Sequence, residues 1–105
     1  MVIYGLTTCD TCRAARAALP AARFRDVRAE PLAAGEISAL LAALGEGLVN
    51  RRSTTWRGLS QEERAAPAAE LLARHPALMK RPVIEAEGVF HLGWTDAVRE
   101  AVRHA

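Results

Sequence analysis

The sequence predicts an α/β fold in which helices pack on a mixed β-sheet. Short apolar runs alternate with helix-like segments in the first third of the chain. Two more short runs near the end are separated by a glycine turn, and a Cys-x-x-Cys motif follows the first run. Alternation is typical of a βαβ unit, and neighbouring runs joined by a turn are typical of an antiparallel hairpin.

The first third predicts a strand, a helix and a second strand. Residues 2–4 form a short apolar run that is expected to be a buried strand. Residues 10–19 are rich in alanine and end beside Pro20, which predicts a helix. Residues 23–28 are expected to form the second strand, with Phe24 as its core contact.

The middle of the chain predicts a helical insert. One helix is indicated by apolar residues at i, i+3, i+4 and i+7 spacing, namely Ile37, Leu40, Leu41 and Leu44. Gly45 is expected to end it. Ser60 and Glu63 match a capping box, so another helix should begin near Gln61. Pro67 is expected to break or restart that helix.

The last third predicts a hairpin and a final helix. Residues 83–84 and 89–90 are the paired strands, and Thr95 caps the helix. The inward positions of that helix are predicted to be Ala97, Val98, Ala101 and Val102. With a Cys-x-x-Cys motif after the first strand, this order predicts a thioredoxin-like (glutaredoxin-like) mixed sheet. The helical insert lies between its second and third strands, and residues 1–105 are expected to form a single domain.

Length and composition limit the possible functions. A chain of 105 residues with a net charge of +2 needs no nucleic-acid partner. No signal-peptide pattern and no run of membrane-spanning length is visible. We therefore expect a cytoplasmic, monomeric protein with no membrane partner. In a reducing compartment a Cys-x-x-Cys motif is more often catalytic or redox-sensing than structural.

The cysteines carry the most informative chemistry. A strand that delivers Cys9 to a helix N-terminus favours its thiolate, because unpaired backbone N–H groups and the helix dipole stabilise negative charge there. Two alternatives are buried, inert cysteines and half of a zinc site. A zinc site would need further ligands, and the histidine candidates are spread along the chain as His75, His91 and His104. We therefore favour redox or covalent sulfur chemistry and expect no metal.

Several sequence blocks point to one family. They are Tyr4-Gly5 before Cys9-Asp10-Thr11-Cys12-Arg13, then the block at residues 50–57, then His75-Pro76 with Lys80-Arg81-Pro82-Val83. In this combination the chain resembles the arsenate reductase family of the thioredoxin superfamily, the branch that also includes the Spx-type transcriptional regulators. The blocks follow the family order over nearly the whole chain.

The resemblance implies roles for both cysteines. Cys9 matches the nucleophile that attacks arsenate or a disulfide. Cys12 lies one helical turn later, where it could resolve a mixed disulfide at Cys9, close a regulatory disulfide or be a packed residue. All three possibilities for Cys12 stay open at this point.

The resemblance also implies binding residues. Arg52 and Arg81 match arginines that surround the oxyanion, and Arg13 is a further candidate beside the nucleophile. A guanidinium presents a planar fork to two oxygens and keeps its charge. Pro82 matches a cis proline facing the reactive cysteine, so Arg81 and Pro82 are expected to bind a thiol cosubstrate. That cosubstrate would be glutathione, with glutaredoxin as a further partner and no bound cofactor.

Two departures from the best-understood arsenate reductases matter for function. Those enzymes carry a histidine shortly before the nucleophile and a third arginine after the hairpin, whereas this chain has Gly5-Leu6-Thr7-Thr8 and His91-Leu92-Gly93-Trp94 there. The favoured function is an arsenate-reductase-like thiol oxidoreductase. The alternative is an Spx-type redox-sensing regulator that binds RNA polymerase through a Cys9/Cys12 switch. A third hypothesis is a binding module with a vestigial site.

Overall fold

The computed structural model describes residues 1–103, so His104 and Ala105, the end of the predicted 1–105 domain, lie outside it. The chain divides into two compact units. We call residues 1–30 with 81–103 the sheet unit, and Pro31–Lys80 the helical unit. The helical unit is the predicted insert between the second and third strands. Among the described residues no helix is long and apolar enough to cross a membrane.

The sheet unit contains four strands in the order β2-β1-β3-β4. Their bounds are β1 Val2–Gly5, β2 Arg23–Asp26, β3 Val83–Ala86 and β4 Val89–Leu92. β1 pairs in parallel with β2 and antiparallel with β3, and β3 and β4 form the hairpin. Glu87 and Gly88 both have positive φ angles, of 51° and 79°, as a tight two-residue hairpin turn requires. The α/β, thioredoxin-like prediction is confirmed.

β2 is shorter than the predicted strand at residues 23–28. It ends at Asp26 because one carboxylate oxygen of that residue accepts the backbone N–H groups of Arg28 and Ala29, at 2.8 and 3.0 Å. This turn directs the backbone away from the sheet.

Two helices belong to the sheet unit, α1 at Asp10–Ala18 and α6 at Asp96–Arg103. The core cluster joins both helices to the strands through Ile3, Ala15, Ile84, Ala86 and Val102. Thr95 caps α6, since its Oγ1 accepts the Val98 N–H at 3.2 Å.

The predicted inward face of α6 is partly wrong. Val102 is buried and Val98 is half-buried, but Ala97 and Ala101 are exposed. Val98 and Val102 are four residues apart and share one face, whereas each alanine lies about 100° round the helix from its valine neighbour.

The helical unit contains α2 Ala34–Leu44, α3 Thr54–Arg57, α4 Gln61–Arg64 and α5 Ala68–Arg74. Two single 3-10 turns lie at Glu46–Leu48 and Pro76–Leu78. α2 ends at Gly45, whose φ of 71° suits glycine. The predicted capping box is confirmed, because Ser60 accepts the Glu63 N–H at 3.1 Å and Glu63 accepts the Ser60 N–H at 3.2 Å. Pro67 separates α4 from α5, as the sequence predicts.

Candidate active site

Cys9 is the N-cap residue of α1. Its backbone is extended, with φ −87° and ψ 121°, and its side chain caps no backbone N–H. The Cys9 N–H donates to the Leu6 carbonyl at 3.1 Å, and the Cys9 carbonyl accepts the Arg13 N–H at 3.0 Å. The thiol is thus half-buried at the positive end of the helix, where a thiolate is stabilised.

Cys12 lies one turn further along α1 and is completely buried. Its thiol hydrogen-bonds to the Cys9 sulfur, and its backbone N–H also lowers the pKa of the Cys9 thiol. Both cysteines are reduced in this structure. Cys12 is therefore a packed residue of the sheet unit and also a hydrogen-bond partner of the Cys9 sulfur.

Arg81 is the positive group at the Cys9 thiol. It precedes β3, its Nε atom is buried, and its guanidinium hydrogen-bonds to the Cys9 sulfur. The Arg81–Pro82 peptide bond is cis, as the resemblance implies. The Pro82 carbonyl accepts the Gly93 N–H at 2.8 Å, which ties the start of β3 to the end of β4.

The two thiols differ in acidity. Burial raises the pKa of Cys9, but the hydrogen bonds from Cys12 and the charge of Arg81 outweigh it, so the net pKa is lowered. Burial, together with the neighbouring Cys9, raises the pKa of Cys12 to about 11, although a backbone hydrogen bond with Leu6 opposes this. Cys9 is therefore the first of the two thiols to lose its proton, and Cys12 remains a thiol at neutral pH.

Gly5 at the end of β1 makes room for Cys12. A Cβ atom at position 5 would overlap the Cys12 Sγ and would lie 3.3 Å from the Cys12 Cβ. Sequence reasoning noted Gly5 only as part of a motif and missed this contact. A strand-terminal glycine before a Cys-x-x-Cys motif is the signal that could have suggested close backbone approach.

Arg13 is engaged with the loop before the nucleophile. Its guanidinium donates to the Thr7 carbonyl at 3.1 Å and pairs with the Asp10 carboxylate at 3.1 Å. Asp10 and Arg13 thus largely compensate each other's charge beside Cys9. The oxyanion-binding role of Arg13 stays a prediction.

Arg52 belongs to the helical unit, whereas Cys9, Cys12 and Arg81 are brought together in the sheet unit. It lines a hollow of about 520 Å³ together with Arg51 and Lys80. Its backbone N–H donates to Asn50 Oδ1 at 3.0 Å, and its carbonyl accepts a hydrogen bond from Arg57 at 2.9 Å. The turn that carries Arg52 is therefore well fixed, and its oxyanion-binding role stays a prediction.

Trp56, in the same sequence block, is half-buried rather than a core residue. The guanidinium groups of Arg51 and Arg64 lie 5.4 and 5.6 Å from its ring centroid. Arg64 also donates to the Trp56 carbonyl at 3.1 Å. The indole thus organises the arginine-rich segment by cation–π contact.

The described histidines, His75 and His91, do not form a metal site with the cysteines. Within residues 1–103 no group of three or more His, Cys, Asp or Glu side chains is arranged to hold a metal ion. His75 pairs instead with Glu63, at 3.4 Å, and His91 lies on β4.

Comparison with known proteins identifies the family. The profile of the ArsC family matches residues 4–102, so the chain belongs to the ArsC family. The solved structure of the YffB protein is 30% identical, with a TM-score of 0.87 and 96% of each chain covered. An arsenate reductase (ArsC) related protein from Brucella melitensis is 35% identical, with a TM-score of 0.74 and 99% of this chain and 94% of that chain covered.

A second group of relatives carries a different name. The global transcriptional regulator Spx of Listeria innocua is 28% identical over 106 residues, covering 91% of this chain and 81% of the regulator. The resemblance to the arsenate reductase and Spx branch is thereby confirmed. Family membership supports thiol oxidoreductase chemistry, and the two groups of relatives include a protein described as related to arsenate reductase and a protein named as a transcriptional regulator.

Proposed function

We propose that this protein is an arsenate-reductase-like thiol oxidoreductase in which Cys9 is the nucleophile. One observation carries the proposal: the Cys9 sulfur lies at the N-terminus of α1 and receives hydrogen bonds from Cys12 and Arg81. A thiolate is the attacking species in both arsenate reduction and disulfide exchange, so a lowered thiol pKa serves either reaction. The family relationship to arsenate-reductase-related proteins supports the same class of chemistry.

The first step with arsenate would form a bond between sulfur and arsenic. The Cys9 thiolate attacks arsenic(V), and one arsenate oxygen departs as water after taking up protons. Arg81, which hydrogen-bonds to the Cys9 sulfur, is proposed to stabilise the negative charge on the remaining oxygens. Arg13 and Arg52 are proposed as additional oxyanion ligands on the resemblance alone.

The second step would reduce arsenic. Glutathione thiolate attacks the Cys9 sulfur, a disulfide bond forms, the bond between sulfur and arsenic breaks, and its electron pair reduces arsenic(V) to arsenic(III). A second thiol, from glutathione or glutaredoxin, then releases Cys9 as a thiolate and carries away the disulfide. With a disulfide of glutathione as substrate, the Cys9 thiolate attacks the glutathione sulfur, forms the same mixed disulfide and expels the other thiol as a thiolate.

We assign resolution of the mixed disulfide to an external thiol rather than to Cys12. Burial is the largest cause of the raised Cys12 pKa, and this cause does not depend on the charge of Cys9. A buried thiol with a raised pKa stays protonated and attacks slowly. The proposed role of Cys12 is to donate hydrogen bonds to the Cys9 thiolate.

The test is arsenate-dependent NADPH oxidation with glutathione, glutaredoxin and glutathione reductase present. Cys9→Ser should abolish turnover, and Arg81→Ala should lower kcat/KM by about 10²- to 10³-fold, as loss of an oxyanion ligand does. Cys12→Ser should retain turnover, because resolution is external. Arg103→Ala, which removes an exposed arginine on α6, is the matched control and should behave as wild type. Activity that survives Cys9→Ser would overturn the proposal.

The same assay separates the substrates. Replacing arsenate with a mixed disulfide between glutathione and a small thiol tests the disulfide reaction. Turnover with the disulfide alone would assign glutathione-disulfide chemistry and reject arsenate reduction. Arg52→Ala, run in both assays, tests the prediction for Arg52: a loss with arsenate and none with the disulfide identifies an oxyanion ligand.

The second candidate is an Spx-type redox-sensing regulator. The relatives named Spx and the adjacent Cys9 and Cys12 sulfurs favour it. A regulator would bind RNA polymerase differently in its oxidised and reduced states and would show no turnover in either assay. Cys12→Ser separates the two candidates, because it would abolish the switch and spare the enzyme.

A further inference from the structure

The loop that delivers Cys9 is held by a carboxylate from the neighbouring strand. Asp26 is the last residue of β2 and lies opposite Gly5 in the parallel register. Its Oδ2 accepts the Thr7 N–H at 2.9 Å, while Oδ1 accepts the N–H groups of Arg28 and Ala29, at 2.8 and 3.0 Å. A single carboxylate thus joins the loop before the nucleophile to the turn after β2.

Further hydrogen bonds make Thr7 a fixed point of this loop. The Thr7 carbonyl accepts a hydrogen bond from the Arg13 guanidinium at 3.1 Å, so Thr7 is held through both its N–H and its C=O groups. The Val27 N–H donates to the Gly5 carbonyl at 2.9 Å, and this bond aligns the ends of the two strands. Only Thr8 separates Thr7 from Cys9.

We propose that Asp26 is a positioning residue for Cys9: its carboxylate anchors Thr7 and thereby places the sulfur against Cys12 and Arg81. The inference rests on the proposed function only in taking Cys9 as the nucleophile. The three hydrogen bonds also lower the pKa of Asp26 to about 2, chiefly through the Thr7 N–H, so the anchor is ionised at neutral pH. An anionic acceptor makes a stronger hydrogen bond than a neutral one.

Loss of the Asp26 charge and loss of the Asp26 anchor should shift the Cys9 pKa in opposite directions, which makes the proposal testable. A nearby carboxylate disfavours a thiolate, so removing the charge of Asp26 alone would lower the Cys9 pKa. Losing the anchor would let the sulfur move away from its hydrogen-bond donors, which would raise the pKa. A role confined to overall stability would leave the Cys9 pKa of the folded protein unchanged.

The experiment measures the pH dependence of iodoacetamide alkylation at Cys9 in wild type, Asp26→Asn and Asp26→Ala, with the labelled residue identified by mass spectrometry. In Asp26→Asn the amide oxygen can still accept the Arg28 and Ala29 N–H groups, but the NH₂ group cannot accept from Thr7. We expect a higher Cys9 pKa in both variants and an alkylation rate at neutral pH reduced by about 3- to 10-fold. Asp96→Asn makes the same chemical change at the exposed start of α6 and should match wild type.

An unchanged or lowered Cys9 pKa in folded Asp26→Asn would overturn the proposal. If that variant does not fold, wild-type NMR provides the second measurement: the Thr7 amide proton should titrate with the Asp26 carboxyl, and failure to do so would also overturn it. Neither measurement uses arsenate or glutathione. Absence of turnover would therefore reject the proposed function without affecting the positioning role of Asp26. A wild-type Cys9 pKa in an active Asp26→Asn variant would reject the positioning role alone.

Discussion

Gly5 and Cys12 pack in direct contact, and this contact is possible because Gly5 has no side chain. The Cys12 sulfur occupies the space that a Cβ atom at position 5 would need. Because Cys12 in turn hydrogen-bonds to Cys9, the size of the residue at position 5 determines how the second thiol meets the first. Gly5 lies at the end of β1, so the contact also joins the strand to α1.

Gly5→Ala should destabilise the protein by about 1–3 kcal/mol, because an added methyl group in a filled space forces neighbouring atoms to shift. Urea unfolding gives the free energy of unfolding. Combining it with Cys12→Ala should recover part of the loss, since that change removes the overlapping sulfur but leaves the Cβ atom at 3.3 Å. Additive effects of the two substitutions would contradict the contact.

Gly35→Ala is the matched control for that prediction. Gly35 lies in α2, and a Cβ atom there would meet no atom within 4 Å. Alanine in an open helix position should stabilise the protein by about 0.5–1 kcal/mol through lower backbone entropy in the unfolded chain. The same substitution should therefore lower the free energy of unfolding at position 5 and raise it at position 35.

Alkylation of the folded protein near neutral pH should modify Cys9 and spare Cys12. Cys9 is half-buried with a lowered pKa, whereas Cys12 is fully buried with its pKa raised to about 11. Mass spectrometry after iodoacetamide treatment counts and locates the labels. Denaturant should expose Cys12 and give two labels per chain, whereas two labels without denaturant would contradict this assignment.

Arg81→Ala should raise the Cys9 pKa, because it removes a hydrogen-bond donor and a positive charge from the sulfur. Arg81→Lys should give a smaller rise, since it keeps the charge and loses the planar fork. The measurement is the pH dependence of thiolate absorbance in the ultraviolet, with Arg103→Ala as the exposed-arginine control. A Cys9 pKa that does not respond to Arg81→Ala would show that α1 and Cys12 alone control the thiol.

Part of the acid sensitivity of the fold should come from Asp26. Its pKa is lowered from an ordinary value of 3.8 to about 2, mainly by the Thr7 N–H, so the unfolded state takes up a proton first as the pH falls. The stability that the carboxylate contributes is present above about pH 4 and is lost as the pH falls towards about 2. Urea unfolding at about pH 6 and about pH 2.5 should show a smaller acid loss in Asp26→Asn than in wild type. An equal loss of stability at low pH in the two proteins would show that the Asp26 carboxylate does not contribute to the acid sensitivity.

Ser60→Ala should cost about 1 kcal/mol in the free energy of unfolding, since it removes the Oγ that accepts the Glu63 N–H at the start of α4. Ser38→Ala, at an exposed position within α2, should change stability little. Chemical denaturation of the two variants makes the comparison, and equal losses would contradict a specific capping role.

Features set by local interactions could be predicted from the sequence. Ser60, Thr95 and Gly45 each act on residues within one turn of themselves, and the helix boundaries that they predict are confirmed. The reactive thiol at the start of α1 follows the same logic, because the cap position and the helix dipole are local.

Features that join distant segments could not be predicted in this way. Thr7 and Asp26 are 19 positions apart, and nothing in the sequence near either residue indicates that their groups meet. Gly5 and Cys12 come together only after β1 and α1 have packed. Arg81 reaches Cys9 from the other end of the chain, and here the resemblance to a family supplied what local patterns could not.

The different environments of the two sulfurs have a consequence for the lifetime of an oxidised pair. If Cys9 and Cys12 formed a disulfide, an external thiol attacking Cys9 would have to expel Cys12, a poor leaving group because of its raised pKa. Attack at Cys12 would expel the better leaving group, but that sulfur is fully buried. Both routes to reduction are therefore slow. An oxidised Cys9–Cys12 pair would persist until local opening of α1 exposed the Cys12 sulfur.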